Sequence, residues 1–260
     1  MKTRWLITPY FFEKPDGALT SVLPKGAAYQ INTPPDVSDR SVASLARLHG
    51  PIASFVQVAA GAGDLAVSVA GDCGASLPVM AGLQAAGLDP VLVWLDAHGD
   101  FNTIETSPSG FLGGMPLAMM VGCGDLSLPQ ACGQAPVNEN DVWLVDARDL
   151  DPLERDALHA SKVNRIDISQ LSRLRLERPV YLHIDNDIVD AAQVPANNYP
   201  VSGGPSLDQV TQACVQFVKE NQICAISLSG WNGTLDTDGK TAAACTALIN
   251  AVADAVLART

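Results

Sequence analysis

The chain is short of charge, of aromatic rings and, above all, of basic residues. Only 17% of its 260 residues are charged and 5% are aromatic, against roughly 25% charged in an ordinary soluble domain. With 47% hydrophobic residues, that shortage excludes disorder and calls for a large buried core. Lys and Arg number 16 against 28 Asp and Glu, a net charge of −12. Such an acidic balance repels phosphate backbones and anionic lipid, so no nucleic acid and no membrane surface is expected as a partner. The six cysteines, at 73, 123, 132, 214, 224 and 245, form no CxxC pair and no framework spacing. They read as reduced, mostly buried thiols of a cytoplasmic protein. No apolar run is long enough to suggest a membrane span, and residues 1–10 do not resemble a signal peptide. What the chain has in plenty is carboxylates, and carboxylates bind cations.

A length of 260 residues suits one large α/β domain, here 1–260. Short aliphatic runs at 65–70, 91–95, 142–145, 180–184 and 223–228 read as strands of a parallel sheet covered on both faces. Between them, helical patterns fall at 38–49, 76–86, 153–160, 206–219 and 241–257, giving right-handed βαβ units. The Gly/Pro-rich stretches 107–116 and 195–205 follow strands and read as functional loops.

In such sheets ligands sit at the carboxyl ends of strands, and there the acids gather. Asp96-Ala97-His98-Gly99-Asp100 ends one strand, Asp185-Asn186-Asp187 a second, and Gly71-Asp72-Cys73-Gly74 a third. In extended backbone, alternate side chains point the same way. Asp96, His98 and Asp100 therefore converge, as do Asp185 and Asp187. That many carboxylates with an imidazole can neutralise two divalent cations and bridge them. The plain alternative is strand-end acids that cap helices or face water.

These motifs resemble, in order, those of the arginase–agmatinase–formiminoglutamase family. Asp96-Ala-His98-Gly-Asp100 is similar to the family's DAHxD, and 184–190 to its DxDxxD. Gly71-Asp72-Cys73-Gly74 stands for GDHS, and Gly203-Gly204 for a GG before a helix. The resemblance implies a three-layer α-β-α fold around a mainly parallel sheet and a pair of Mn2+ ions. One manganese would be held by Cys73, Asp96, Asp100 and Asp185, the other by His98, Asp187 and the bridging Asp96 and Asp185. A hydroxide held between them by Asp96 and Asp185 would attack a guanidine carbon, with Asp100 as a proton acceptor. Asp100-Phe101-Asn102-Thr103 resembles DINT, Ser109-Gly110 an SG, and 146–154 the segment GxRDxDPxE apart from its first Gly. Carried over, Asn102 and Ser109 bind an α-carboxylate and Asp151 an α-ammonium, which makes the substrate a small amino acid. For Asp149 and Asp151 the alternative is a helix N-terminus.

Three departures set this chain apart. Cys73 replaces the first histidine ligand, Gly113 stands where the family has a histidine, and Gly230 where it has a glutamate. Those last two residues normally shuttle protons and hold the guanidinium. The chain is then either a catalytically inactive ligand-binding relative or an enzyme for a modified guanidine, with Nω-hydroxy-L-arginine the compound that fits. An N-hydroxyguanidine is less basic than a guanidine, so it needs less from a counter-carboxylate. Cys73 is read as a thiolate ligand, with a nucleophile or a buried structural thiol as alternatives, and its softness tilts the site toward zinc or iron. His183 is either a group supporting the site or a packed sheet histidine, while His49 and His159 are expected at exposed helix ends. Phe111 and Trp231 are expected to wall the pocket unless they pack in the core. Tyr199 falls where the family can place a substrate-contacting threonine. Self-association stays open.

Overall fold

The aliphatic runs fold into strands of one twisted sheet with helices on both faces. The computed structural model describes residues 1–22, 28–34 and 36–259. Its strands are β1 (Thr3–Thr8), β2 (Tyr10–Phe11), β3 (Lys14–Pro15), β4 (Tyr29–Ile31), β5 (Leu65–Ala70), β6 (Val91–Asp96), β7 (Val142–Asp146), β8 (Asn164–Ile166), β9 (Val180–Asp185) and β10 (Ile223–Ser229). The helices are α1 (Val42–Gly61), α2 (Ser76–Ala85), α3 (Pro116–Met120), α4 (Ser127–Cys132), α5 (Pro152–Ala160), α6 (Ile168–Leu171), α7 (Leu207–Glu220) and α8 (Lys240–Leu257). Eight strands pair in the order β4-β1-β5-β10-β9-β6-β7-β8, and every pairing in this sheet is parallel.

Parallel neighbours need crossovers, and the crossovers lay helices on both faces. On one face Val93, Leu95, Leu182, Ile184, Ile226 and Leu228 pack with Phe217 of α7 and Leu248 and Ile249 of α8. On the other, Leu92, Trp94, Tyr181 and Ala225 pack with Leu45, Ile52 and Val56 of α1 and Leu77, Met80 and Leu83 of α2. The result is the expected α-β-α sandwich, with every residue of β5, β6 and β9 buried. All five expected strands are present, to within a residue at their ends.

Two expectations are corrected. The helix expected at 38–49 starts at Val42, behind Ser41, whose hydroxyl accepts from the Ser44 amide at 3.2 Å. It then runs through Gly50-Pro51 to Gly61. The Gly-Pro pair reads locally as a stop, but Leu45, Leu48, Ile52, Val56 and Ala59 keep one buried stripe running past it. Pro51 itself faces solvent, so tertiary packing overrides the local signal. His49 is accordingly a buried mid-helix residue and not an exposed helix end; burial lowers its pKa to about 4. His159 is exposed in the last turn of α5, as expected. The second correction concerns α8, which is long and apolar enough to cross a membrane by length and composition. Its buried face, including Leu248, Ile249 and Val252, packs in the core against the sheet.

Candidate metal centre

Strands β6 and β9 are neighbours, so their carboxyl ends bring Asp96 and Asp185 together. The turn after β5 adds Cys73. Ligand atoms lie within 4.8 Å of one another inside each of two groups, Cys73 with Asp96 and Asp100, and Asp96 with His98 and Asp187. Asp96 belongs to both. Asp185 stands between them: its Oδ2 lies 2.9 Å from Cys73 Sγ, and its Oδ1 accepts from the Asp187 amide at 2.9 Å. The His98 ring nitrogen Nδ1 is 3.0 Å from Asp187 Oδ2 and 3.4 Å from Asp96 Oδ1. Asp96 is further held by the His98 amide at 2.7 Å and by Trp94 Nε1 at 3.0 Å.

The electrostatics are those of acids crowded out of water. Burial first, then neighbouring carboxylates, pushes Asp100 and Asp185 well above the usual range and Asp187 up to about 6. Burial also raises Cys73 far above an ordinary thiol, with Asp185, Asp100 and Asp96 adding to it. Burial opposes charge on His98, yet Asp187 and Asp96 outweigh it and lift the imidazole to about 12. His183 feels mainly burial, which lowers it to about 3 and keeps the ring neutral. Asp100 has a left-handed backbone, φ +47, and its buried Oδ2 has no hydrogen-bond partner. Strain at one carboxylate, an orphaned acceptor and mutually repelling acids all fit a pair of divalent cations, which would reverse the local repulsion.

A cleft of about 440 Å³ opens onto this cluster. Asn102, Ser109 and Asp151 all line it, as do Phe111 and Tyr199. Asn102 Nδ2 donates to Asp151 Oδ2 at 3.0 Å, and Thr106 donates to Asn102 Oδ1 at 2.9 Å. One amide hydrogen of Asn102 is left for a ligand. Asp151 is also the N-cap of α5, with the Glu154 carboxylate accepting from its amide at 3.2 Å. The helix-start alternative therefore holds for Asp151 alongside its place in the cleft. Trp231 does not line the cleft; it is buried in the α7–α8 side of the core, its Nε1 donating to Asp236 at 3.1 Å.

At both glycine departures an added side chain would meet a neighbour. A Cβ at Gly113 would lie 2.6 Å from Phe111 Cζ, so the phenyl ring fills the space a side chain there would need. That ring packs 5.0 Å from Tyr199 and 6.4 Å from Phe11. Gly230 has φ +87, and a Cβ there would lie 2.6 Å from Asp185 Cγ. Backbone thus abuts the Asp185 carboxylate where the family carries a glutamate.

Sequence reasoning assigned no role to three further groups. Glu154 is buried, its Oε1 accepts from the Phe101 amide at 2.9 Å, and burial raises its pKa to about 7. The Asp-x-x-Glu spacing of a capping box was the legible signal for it. Arg148 donates to the carbonyls of Asp187, Ile188 and Val201 at 3.0–3.1 Å and pairs with Asp146, tying the β7 loop to the loop that carries Asp187. Ser229, beside Cys73 at 3.0 Å, had no signal in the sequence.

Fold and cluster together define a three-layer α/β protein of metallohydrolase type, with its acidic centre at the strand ends. The Arginase family model matches residues 23–253, and the chain belongs to that family, whose homologues are hydrolases of guanidino C–N bonds. An arginase of Bacillus caldovelox is 27% identical over 245 residues, 88% of this chain and 82% of that one. An N(omega)-hydroxy-L-arginine amidinohydrolase of Streptomyces lavendulae is 29% identical over 180 residues, 67% of this chain and 63% of that protein. The fold superposes on the crystal structure of an arginase from Bacillus cereus with a TM-score of 0.81, at 24% identity, covering 97% of this chain and 98% of the other.

Proposed function

We propose that this chain is a single-domain, cytoplasmic hydrolase that cleaves Nω-hydroxy-L-arginine to hydroxyurea and L-ornithine with two Mn2+ bound. The observation that carries the reading is the pair of glycines. Phe111 occupies the space beside Gly113, and Gly230 presses its backbone on Asp185, so a side chain at either position must displace the ring or the carboxylate. A guanidine made less basic by N-hydroxylation, which asks less of an extra carboxylate, suits such a pocket; the departing ornithine amine is the same as from arginine and still needs a proton. The relative from Streptomyces lavendulae supports it, as does the resemblance to hydroxyarginine hydrolases of D-cycloserine (antibiotic) biosynthesis.

In this reading Cys73, Asp96, Asp100 and Asp185 hold one cation, and His98 and Asp187 hold the other with the shared Asp96 and Asp185. Oxygen-rich donors favour manganese over softer metals at the His98 side. When bound, the cation pair supplies Lewis acidity and acidifies a shared water. Asp100 is the residue assigned to take a proton, through whichever carboxylate oxygen the cation leaves free. The free amide hydrogen of Asn102 and the Ser109 hydroxyl hold the α-carboxylate, and Asp151 holds the α-ammonium. Neutral donors face the anion and an acid faces the cation. The test is ornithine release by manganese-loaded protein from hydroxyarginine and from arginine. A clear preference for hydroxyarginine is expected; equal rates, or no release from either, defeat the reading.

A further inference from the structure

Behind the row of candidate ligands lies a second polar row. Trp94, His183 and Ser227 are register partners across β6, β9 and β10. Each lies two residues before Asp96, Asp185 or Ser229, and so on the same face of the sheet. Tyr181 shares that face one step further back. All are buried, and a buried polar row is tolerated only when each group is paired. Here the pairing is continuous. Tyr181 Oη lies 2.7 Å from Ser227 Oγ, which lies 2.7 Å from His183 Nδ1. His183 Nε2 is 3.4 Å from Ser229 Oγ, and Ser229 Oγ is 3.0 Å from Cys73 Sγ.

The hydrogens in this row have a preferred sense. The single Cys73 proton points to Asp185 Oδ2 at 2.9 Å, so the sulfur accepts from Ser229. Ser229 then accepts from the Nε2–H of a neutral His183, whose Nδ1 accepts from Ser227, and Ser227 accepts from Tyr181. In this sense each donor in the row is used once and points toward the sulfur, the Tyr181 hydroxyl taking the Ser227 oxygen at 2.7 Å over the more distant Ser76 carbonyl at 3.5 Å. The same row braces the neighbouring ligand. The Trp94 ring lies 3.8 Å from the His183 ring, and its Nε1 donates to Asp96.

We propose that Tyr181, Ser227, His183 and Ser229 form a positioning relay that locks the Cys73 side chain, through a donated hydrogen bond, onto the cation shared with Asp96 and Asp100. The inference rests on the dinuclear reading and assigns a role to residues that this reading leaves unused. Hydrogen bonds to a ligand atom orient it and tune its donor strength. The Ser227 hydroxyl pairs with Tyr181 and His183 and with no candidate ligand, so its hydrogen-bonded route to the sulfur runs through the imidazole.

The test uses cobalt(II) in the full chain, read by the thiolate-to-cobalt charge-transfer absorption and by metal affinity. Wild type binds cobalt and shows the band. Ser229→Ala shifts the band and weakens cobalt about ten- to hundredfold. Ser227→Ala and His183→Leu shift it in the same direction, while His183→Gln, which keeps an N–H for Ser229, stays nearer wild type. Thermal melts identify any variant that fails to fold, and Ser227→Ala then carries the test. Wild-type band and affinity in both serine variants overturn the relay. Two bound cobalt ions without a thiolate band in wild type overturn it by showing that Cys73 is not a ligand. No cobalt bound to wild type at all defeats the dinuclear reading itself.

Discussion

If Asp185 bridges two cations as proposed, replacing Gly230 by alanine is expected to deplete the metal centre although it alters no ligand. At φ +87 an L side chain costs about 1–2 kcal/mol. The larger effect is steric. The new Cβ would lie 2.6 Å from Asp185 Cγ, roughly 1 Å short of an ordinary carbon–carbon contact. Backbone on the glycine side is held in the β10 strand end, so the carboxylate must retreat. Metal–ligand distances tolerate only about 0.2 Å, so the retreat exceeds the tolerance several-fold and Asp185 is lost to both cations. Activity then falls more than about a hundredfold, equivalent to about 2.7 kcal/mol, and metal content drops below two ions per chain. Gly87→Ala is the control: its φ is +80 with nothing within 4 Å of a Cβ, so it carries the backbone strain without the collision. Metal analysis after dialysis, ornithine release and urea unfolding read all three proteins. Full metal content in Gly230→Ala, or equal loss in Gly87→Ala, would refute the reasoning.

Gly113→His alone is expected to disrupt the cleft against Phe111, whereas Phe111→Ala with Gly113→His should fold and raise ornithine release from arginine at least about tenfold by restoring a proton donor for the departing amine; unchanged release in the double variant rejects the idea that the ring replaces the imidazole. Arg148→Met leaves Asp146 and three loop carbonyls without their cation and should cost roughly 3 kcal/mol in urea unfolding; a loss under about 0.5 kcal/mol would show that the clamp is decorative. His49 titrates near 4 in the folded chain and near 6.5 unfolded, so between those values the unfolded state binds more protons and stability falls as pH falls. The contribution is roughly 3 kcal/mol across that window. It should vanish in His49→Gln when unfolding is compared at pH 7 and pH 4.5, even though Glu154 and Asp72, whose raised pKa values favour the folded state on acidification, respond in the opposite sense. An identical pH dependence in the variant contradicts the assignment.

Much of the fold was legible because its signals are local. A parallel strand buried on both faces reads as a largely apolar run, and 65–70, 91–95 and 180–184 are such runs. Alternation of side chains along a strand also made the convergence of Asp96, His98 and Asp100 readable. The α1 boundary misled because Gly50-Pro51 is a local stop, whereas the stripe from Leu45 to Ala59 that continues the helix acts only once α2 is packed on it. For Trp231 the sequence allowed either pocket wall or core, and the fold puts it in the core.

The sequence by itself determined the architecture, the order of the acidic motifs and their place at strand ends, since periodicity and spacing are properties of the chain alone. It also marked Gly113 and Gly230 as departures without saying what replaced the missing side chains. Only the tertiary structure decided that, because contacts between Phe111 and Gly113, Asp185 and Gly230, and Cys73 and Ser229 depend on how strands and loops meet. Ser229 lies 156 residues from Cys73 along the chain, and only the pairing of β10 with β5 and β9 brings its hydroxyl to the sulfur.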